Sequence, residues 1–182
     1  MTKTVRHAAA LFTTAVLCLA ATACTPSAGT GAGPADSNTS GGGCPLSAEA
    51  LSTATGLTFE LSDTRKDQKL ETLPDIAADV CIFTSPSNPQ DAGDPLVLRV
   101  DTVTGANAAA VRTDFERSCT DNGGTLKNST VKNTKTCARG GYNIEGSIRT
   151  GDRAVEVYFV NALTKTAKSL TPSLDKVLAS VK

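Results

Sequence analysis

The 182-residue sequence predicts an α+β domain built on an antiparallel sheet. Two observations carry that prediction. Segments with period-two apolar alternation follow one another directly, whereas a parallel sheet would need helices between them. A helix-then-three-strands pattern can also be traced twice, with one more helix at the end. The expected architecture is therefore two αβββ passes plus a C-terminal helix, the helices packed on the sheet.

The first residues speak of export. Met1 to His7 carries Lys3 and Arg6 and no acid, and the sixteen residues from Ala8 to Ala23 are uncharged. A helix of that length reaches about 24 Å, short of the ~30 Å hydrocarbon core, so the run suits a signal peptide better than a spanning helix. Ala21-Thr22-Ala23 puts small residues directly before Cys24, in the manner of a lipobox. Ala21 stands where that pattern prefers Leu, and the same triplet would also serve an ordinary signal peptidase that leaves Cys24 unacylated. The preferred reading is a signal peptide over 1–23, an acylated Cys24 with a linker over 24–43, and a single disulfide-bonded domain over 44–182. At ~0.8 kcal/mol per buried CH₂, one palmitate-length chain binds reversibly and two or more hold firmly.

Thr25 to Gly43 contains nothing larger than Asn or Asp, so it builds no core and reads as a flexible linker. Its nineteen residues have a mean reach of roughly 22–26 Å. In the first pass, Leu46, Ala50, Leu51 and Ala54 recur at helical spacing and Gly56 ends the helix. Leu57, Phe59 and Leu61 alternate as a strand, and the mixed charges from Asp63 to Glu71 read as a solvated loop. Val80 to Ser85 and then Leu96, Leu98 and Val100 are two further strands. The turn-rich stretch between them holds three prolines, Pro86, Pro89 and Pro95, which exclude a central strand there.

The second pass opens at Thr104, a candidate N-cap, with Ala108, Val111, Phe115 and Cys119 on one helix face. Asn122-Gly123-Gly124 stops that helix. Leu126 to Val131 is a weak strand; Tyr142, Ile144 and Ile148, then Val155, Val157 and Phe159, alternate clearly around a Thr150-Gly151-Asp152 turn. Leu174, Val177, Leu178 and Val181 mark the closing helix, with Thr171 and Pro172 as its N-cap and first position.

Four cysteines follow the anchor: Cys44, Cys81, Cys119 and Cys137. An even count in an exported chain reads as two disulfides, and three pairings are possible. Cys81 and Cys137 hold corresponding places in the two passes, which favours Cys44–Cys81 and Cys119–Cys137. A four-thiolate zinc site would need short paired spacings, and none exists.

The sole histidine is His7, within the signal, so the mature domain has no Ser-His or Cys-His nucleophile system and no imidazole for a metal. Neither a dinucleotide nor a phosphate-loop glycine pattern is present, and no cofactor is expected. Without Lys3 and Arg6 the acids outnumber the bases by two, so nucleic acid is not an expected partner. Glu145 and Glu156 fall on adjacent strands, facing away from the apolar sets. They would suit a carboxylate-based glycosidase, but a solvated polar face shared with Arg149 and Arg153 is the preferred reading. Asp91 and Asp94 in the proline-rich stretch miss the spacing of a calcium loop and read as a turn.

Cys44-Pro45-Leu46 at a helix start, Gly56 at its end and Cys81-Ile82-Phe83 on a strand resemble the small actinobacterial cell-envelope lipoproteins of unknown function. Those show a lipobox, a Gly/Ser/Thr linker, a cysteine before the first helix and a Cys-x-aromatic on a later strand. The resemblance implies an envelope role and brings no catalytic residues. The expectation is a monomeric, non-catalytic binding or accessory module on the extracytoplasmic face of the cell membrane, recognising a lipid, glycan or protein. The alternative is a carboxylate-dependent hydrolase of the envelope. Cys24→Ser is expected to move the protein from the membrane fraction into the medium; equal partitioning of variant and parent overturns the anchor.

Overall fold

The computed structural model describes residues 43–89 and 94–182. The signal, Cys24 and the linker up to residue 42 lie outside the described residues, as does Asp91. The first helix, α1 (Ala48–Thr55), is capped at both ends. The Ser47 hydroxyl accepts from the Ala50 amide at 3.2 Å, and Gly56, at φ +76°, closes the last turn by donating to Ser52 O. Three strands follow as a meander: β1 (Glu60–Lys69), β2 (Ala77–Pro89) and β3 (Pro95–Thr104). The second pass comprises α2 (Ala108–Asp121), β4 (Thr125–Asn128), β5 (Thr134–Arg139), β6 (Tyr142–Thr150) and β7 (Arg153–Phe159). Two short helices, α3 (Thr164–Leu170) and α4 (Leu174–Ala179), end the chain.

The fold is α+β, as expected. Its seven strands form one sheet in the order β1-β2-β3-β7-β6-β5-β4, antiparallel throughout. Each pass is a meander, and the two join where β3 pairs with β7. The disulfides are Cys44–Cys81 and Cys119–Cys137, one within each pass.

Several elements differ from the sequence reading. The charged stretch after Leu61 is strand up to Lys69, because β1 is an edge strand paired only with β2. Its backbone makes the ladder while its side chains face solvent, and the register shifts at Leu61/Asp63 and Arg65/Gln68. Such charges and bulges deter pairing with another sheet edge. Thr104 makes no capping bond; it ends β3 opposite Arg153, and a 3₁₀ turn at Gly105–Asn107 leads into α2. The weak strand predicted for Leu126 to Val131 is confined to β4. The second pass also carries a strand with no large apolar residues, β5, whose buried positions are Thr134, Thr136, Cys137 and Ala138. Finally, α3 precedes Thr171, whose hydroxyl accepts from the Asn143 amide at 3.1 Å and donates to Ala167 O at 2.9 Å, so it links α3 to the sheet.

Strand alternation sorts the side chains onto two faces. On one, Phe83, Leu98, Val100, Val155 and Val157 form the main core with Leu51 of α1, Leu170 of α3 and Leu174, Val177 and Leu178 of α4. On the other, α2 crosses β3, β7, β6, β5 and β4. Ala108 and Val111 pack there with Val80, Val103 and Ala154, and Phe115 packs beside the Cys119–Cys137 disulfide. The sheet is thus covered on both faces, and the solvated polar face foreseen for Glu145 and Glu156 is occupied by a helix.

Two close approaches depend on glycine. A Cβ on Gly146 would lie 2.7 Å from Leu178 Cδ1, and one on Gly124 would lie 2.6 Å from Cys137 Sγ and 2.7 Å from Cys119 O. The Leu178 side chain can turn aside, whereas the disulfide and the carbonyl cannot. Gly124→Ala is expected to destabilise the domain by about 3 kcal/mol and Gly146→Ala by about 1 kcal/mol. Urea unfolding midpoints check the order; equal losses would count against the rigid role of the disulfide.

Candidate functional site

The β3–β7–β6 register brings two polar rows together on the face beneath α2. Asp101 lies opposite Glu156, which lies opposite Ser147. Arg99 lies opposite Tyr158, which lies opposite Glu145. Directly opposed residues hold their Cβ atoms about 4.5–5.5 Å apart, so six side chains share one patch. Above them, Asp114, Phe115 and Ser118 project from α2, and the segment from Leu70 to Leu73 closes one side. The cleft so formed has a volume of about 390 Å³.

Most of its charges are matched inside it. Arg99 Nε donates to Asp101 Oδ1 at 2.8 Å, and Arg139 Nε to Glu145 Oε1 at 2.8 Å. Asp114 accepts from the Thr72 hydroxyl and from Arg117. At the far end of the helix face, Arg112 donates to Glu116 and to Ser147 O, tying α2 to β6. Glu156 differs from these. Its residue is 7% exposed; Tyr158 donates its hydroxyl to Oε2, and Oε1 has no hydrogen-bond partner. The hydroxyl of Ser147, its neighbour across the strand pair, is also buried without a partner.

Burial is the main reason that the Glu156 carboxyl is pushed up to about 7, and the nearby charges of Asp101 and Asp114 add to it. The Tyr158 hydrogen bond and Arg112 act the other way and do not offset it. Burial likewise raises Asp101, against the bond from Arg99. Tyr158 is held well above the usual phenol range by burial and then by Glu156, so it stays a hydrogen-bond donor. A carboxyl that titrates near neutrality can give or take a proton, or donate a hydrogen bond to a ligand.

Glu145 and Glu156 do share a face, as their strand positions require, but their partners are not those expected. Arg149 is exposed near the β6–β7 turn and donates to Gly151 O, and Arg153 donates to Lys182 O. The small pKa effects anticipated on a solvated face do not apply to Glu156, because α2 removes it from water. Asp94 is exposed, away from the cleft lining. Among the described residues, no group of three or more acids or cysteines is placed to hold a metal ion. Arg99, Asp101, Asp114 and Tyr158 were not singled out by sequence, though two signals pointed to them. Asp114 falls three residues after Val111 on the apolar face of α2, and Tyr158 shares a strand face with Glu156.

No family model matches the chain, and no curated protein matches it. Among solved structures the chain is similar to a GTP binding regulator from Thermotoga maritima, at 10% identity and a TM-score of 0.34, covering 72% of this chain and 89% of that one. A likeness of that degree carries no argument about the cleft.

The Glu156 carboxyl also makes a stability prediction. Its folded value lies above the ordinary 4.5, so the folded state binds the proton more tightly than the unfolded chain. The resulting penalty is absent below pH 4.5, grows as pH rises and is complete above about 7, where it is on the order of 3 kcal/mol. Glu156→Gln is expected to raise the melting temperature at about pH 8 and to flatten its decline from acid to neutral pH. An unchanged pH profile in the variant would show that Glu156 is solvated.

Proposed function

We propose that this protein is a lipid-anchored module of the cell envelope, held by Cys24 on the extracytoplasmic face of the membrane, that binds a polar ligand in the cleft under α2 without transforming it. The observation that carries the binding part is Glu156: a buried carboxyl lining the cleft, with one oxygen unpartnered while the neighbouring Asp101, Asp114 and Glu145 have partners. An unsatisfied buried polar atom costs about 1–3 kcal/mol, and a ligand group that completes it gains that much in return. The charged lining speaks for a polar ligand over a lipid tail. The lipobox, the linker and two disulfides in a domain of this size support the location, since disulfides persist in oxidising compartments. No helix of the described residues is long and apolar enough to cross a membrane. The reading keeps the chain among the small actinobacterial envelope lipoproteins that its cysteine pattern resembles.

A second reading has its own observation. Glu156 at about 7 opposite Asp101 is the kind of pair a hydrolase uses as acid and base. Binding is preferred because hydrolysis needs a second carboxylate free to act, and Arg99 holds Asp101.

A thermal-shift panel of neutral sugars, amines and organic acids, run on the full-length chain and on Glu156→Gln, tests the reading. A ligand that raises the melting temperature of the parent and not of the variant is the expected result. Ligands that stabilise both proteins equally would place binding elsewhere. Turnover of a glycan that disappears in Glu156→Gln would replace the module by the hydrolase.

A further inference from the structure

We propose that the ligand of the α2 cleft is a small organic cation, a primary ammonium group on a short apolar stem, whose nitrogen sits against Glu156 Oε1. This deepens the binding reading and rests on it. The cleft is not merely acidic: one of its lining residues is a glutamate more than nine-tenths buried whose carboxyl has one oxygen without a partner, and it has apolar walls.

The charge balance of the lining decides the class. Five carboxyl residues line the cleft, Glu71, Asp101, Asp114, Glu145 and Glu156, against two guanidinium groups, Arg99 and Arg139. Both arginines are already held, by Asp101 and Glu145. Asp114 is held by Arg117 from outside the lining. What remains is Glu71 at the exposed rim and Glu156 on the floor, neither in an ion pair among the described residues. Among the described residues an anionic ligand would find no unpaired cation in the lining, and it would meet the charge of Glu71 and, wherever it is ionised, that of Glu156. An ammonium group has three donors and no acceptor, so it matches an unpartnered carboxylate oxygen. Phe115, with Leu70, Leu73 and Val111, offers wall to a stem of a few methylenes, and an aromatic face attracts a neighbouring cation.

Binding is coupled to one proton. In the free protein near pH 6 Glu156 carries its proton, because burial and the negative charges facing it prevail. Those charges come from β3 (Asp101) and α2 (Asp114); Arg112 of α2 opposes them, Tyr158 of β7 donates to the carboxyl, and Arg99, Glu145 with Arg139, and Glu71 complete the surroundings. When the ammonium enters, Glu156 releases that proton to solvent and remains as the carboxylate, so one cation replaces another at Oε1.

The test is isothermal titration of the full-length chain with n-pentylammonium, and with 1-pentanol and pentanoate as neutral and anionic matches in size. The cation is expected to bind at least about tenfold more tightly than either match, a difference set by one charge-assisted hydrogen bond. Its affinity should rise about tenfold per pH unit from about pH 5 to 7 and then level off. Titrations in buffers of different ionisation enthalpy should show close to one proton released near pH 5.5 and almost none at about pH 8.5. Glu156→Gln should lose the pH dependence together with the preference for the cation. Equal binding of the three probes, or binding of the cation without proton release, overturns the proposal. If 1-pentanol or a neutral sugar binds and is lost in Glu156→Gln while the cation does not bind, the ligand class fails and the binding module stands. If no probe or sugar binds at all, both fail.

Discussion

The antiparallel pairing of β3 with β7 is the contact on which the rest of the molecule depends. Each pass on its own is a meander with two open edges, and the β3–β7 pairing closes one edge of each. Seven residue pairs, from Leu98 opposite Phe159 to Thr104 opposite Arg153, close the two into one sheet. Because side chains alternate with period two, the same register fixes both faces at once: Val100, Val155 and Val157 turn to the main core, and Asp101, Glu156 and Tyr158 turn beneath α2. A slip of one residue would exchange the two sets. The partners are far apart in sequence, so this pairing carries the loop-closure entropy of the fold. Both disulfides, by contrast, act within a single pass.

The two faces divide the work. The face under α1, α3 and α4 is apolar and close-packed, with Leu51, Leu98, Val157, Val177 and Leu178 fully buried. At about 1.5–3 kcal/mol for each large aliphatic side chain, that face supplies most of the driving force. The α2 face includes ion pairs and a protonatable carboxyl, and buried ion pairs are weak sources of stability. A domain selected only for stability would fill positions 101, 156 and 158 with apolar residues, as it does on the opposite side. Their polarity is what the binding site proposed above requires.

Much of the fold was legible because the strongest patterns belong to the strands and helices that build the main core. Leu98 and Val100, Val155 and Val157, and Val177 and Leu178 all announce themselves by spacing. What escaped notice has local physical reasons. The edge strand β1 is charged along both sides, so no apolar period reveals it. The buried residues of β5 are two threonines, a cysteine and an alanine, which resemble a loop. The short α3 is defined by Ala167 and Leu170 alone. For the cleft, alternation was enough to put Glu145 and Glu156 on one face, but not to show that α2 covers that face. The meeting of Asp101 with Glu156 depends on a pairing across more than fifty residues, which no local window contains.

The Cys44–Cys81 disulfide has a mechanical consequence. Cys44 lies three residues before Ser47, the N-cap of the first helix, and its partner lies within β2, bonded on both sides in the sheet. Any tension arriving along the chain that precedes Cys44 passes through the sulfur atoms directly into β2. Neither α1 nor β1 carries that load, since both lie inside the covalent loop. The sequence separation of 37 residues corresponds to about 120 Å of contour that cannot be paid out while the bond is intact. Pulled from that end, the domain would respond as a stiff body, and its first point of yield would lie in the ladders of β2 and not in its amino-terminal helix.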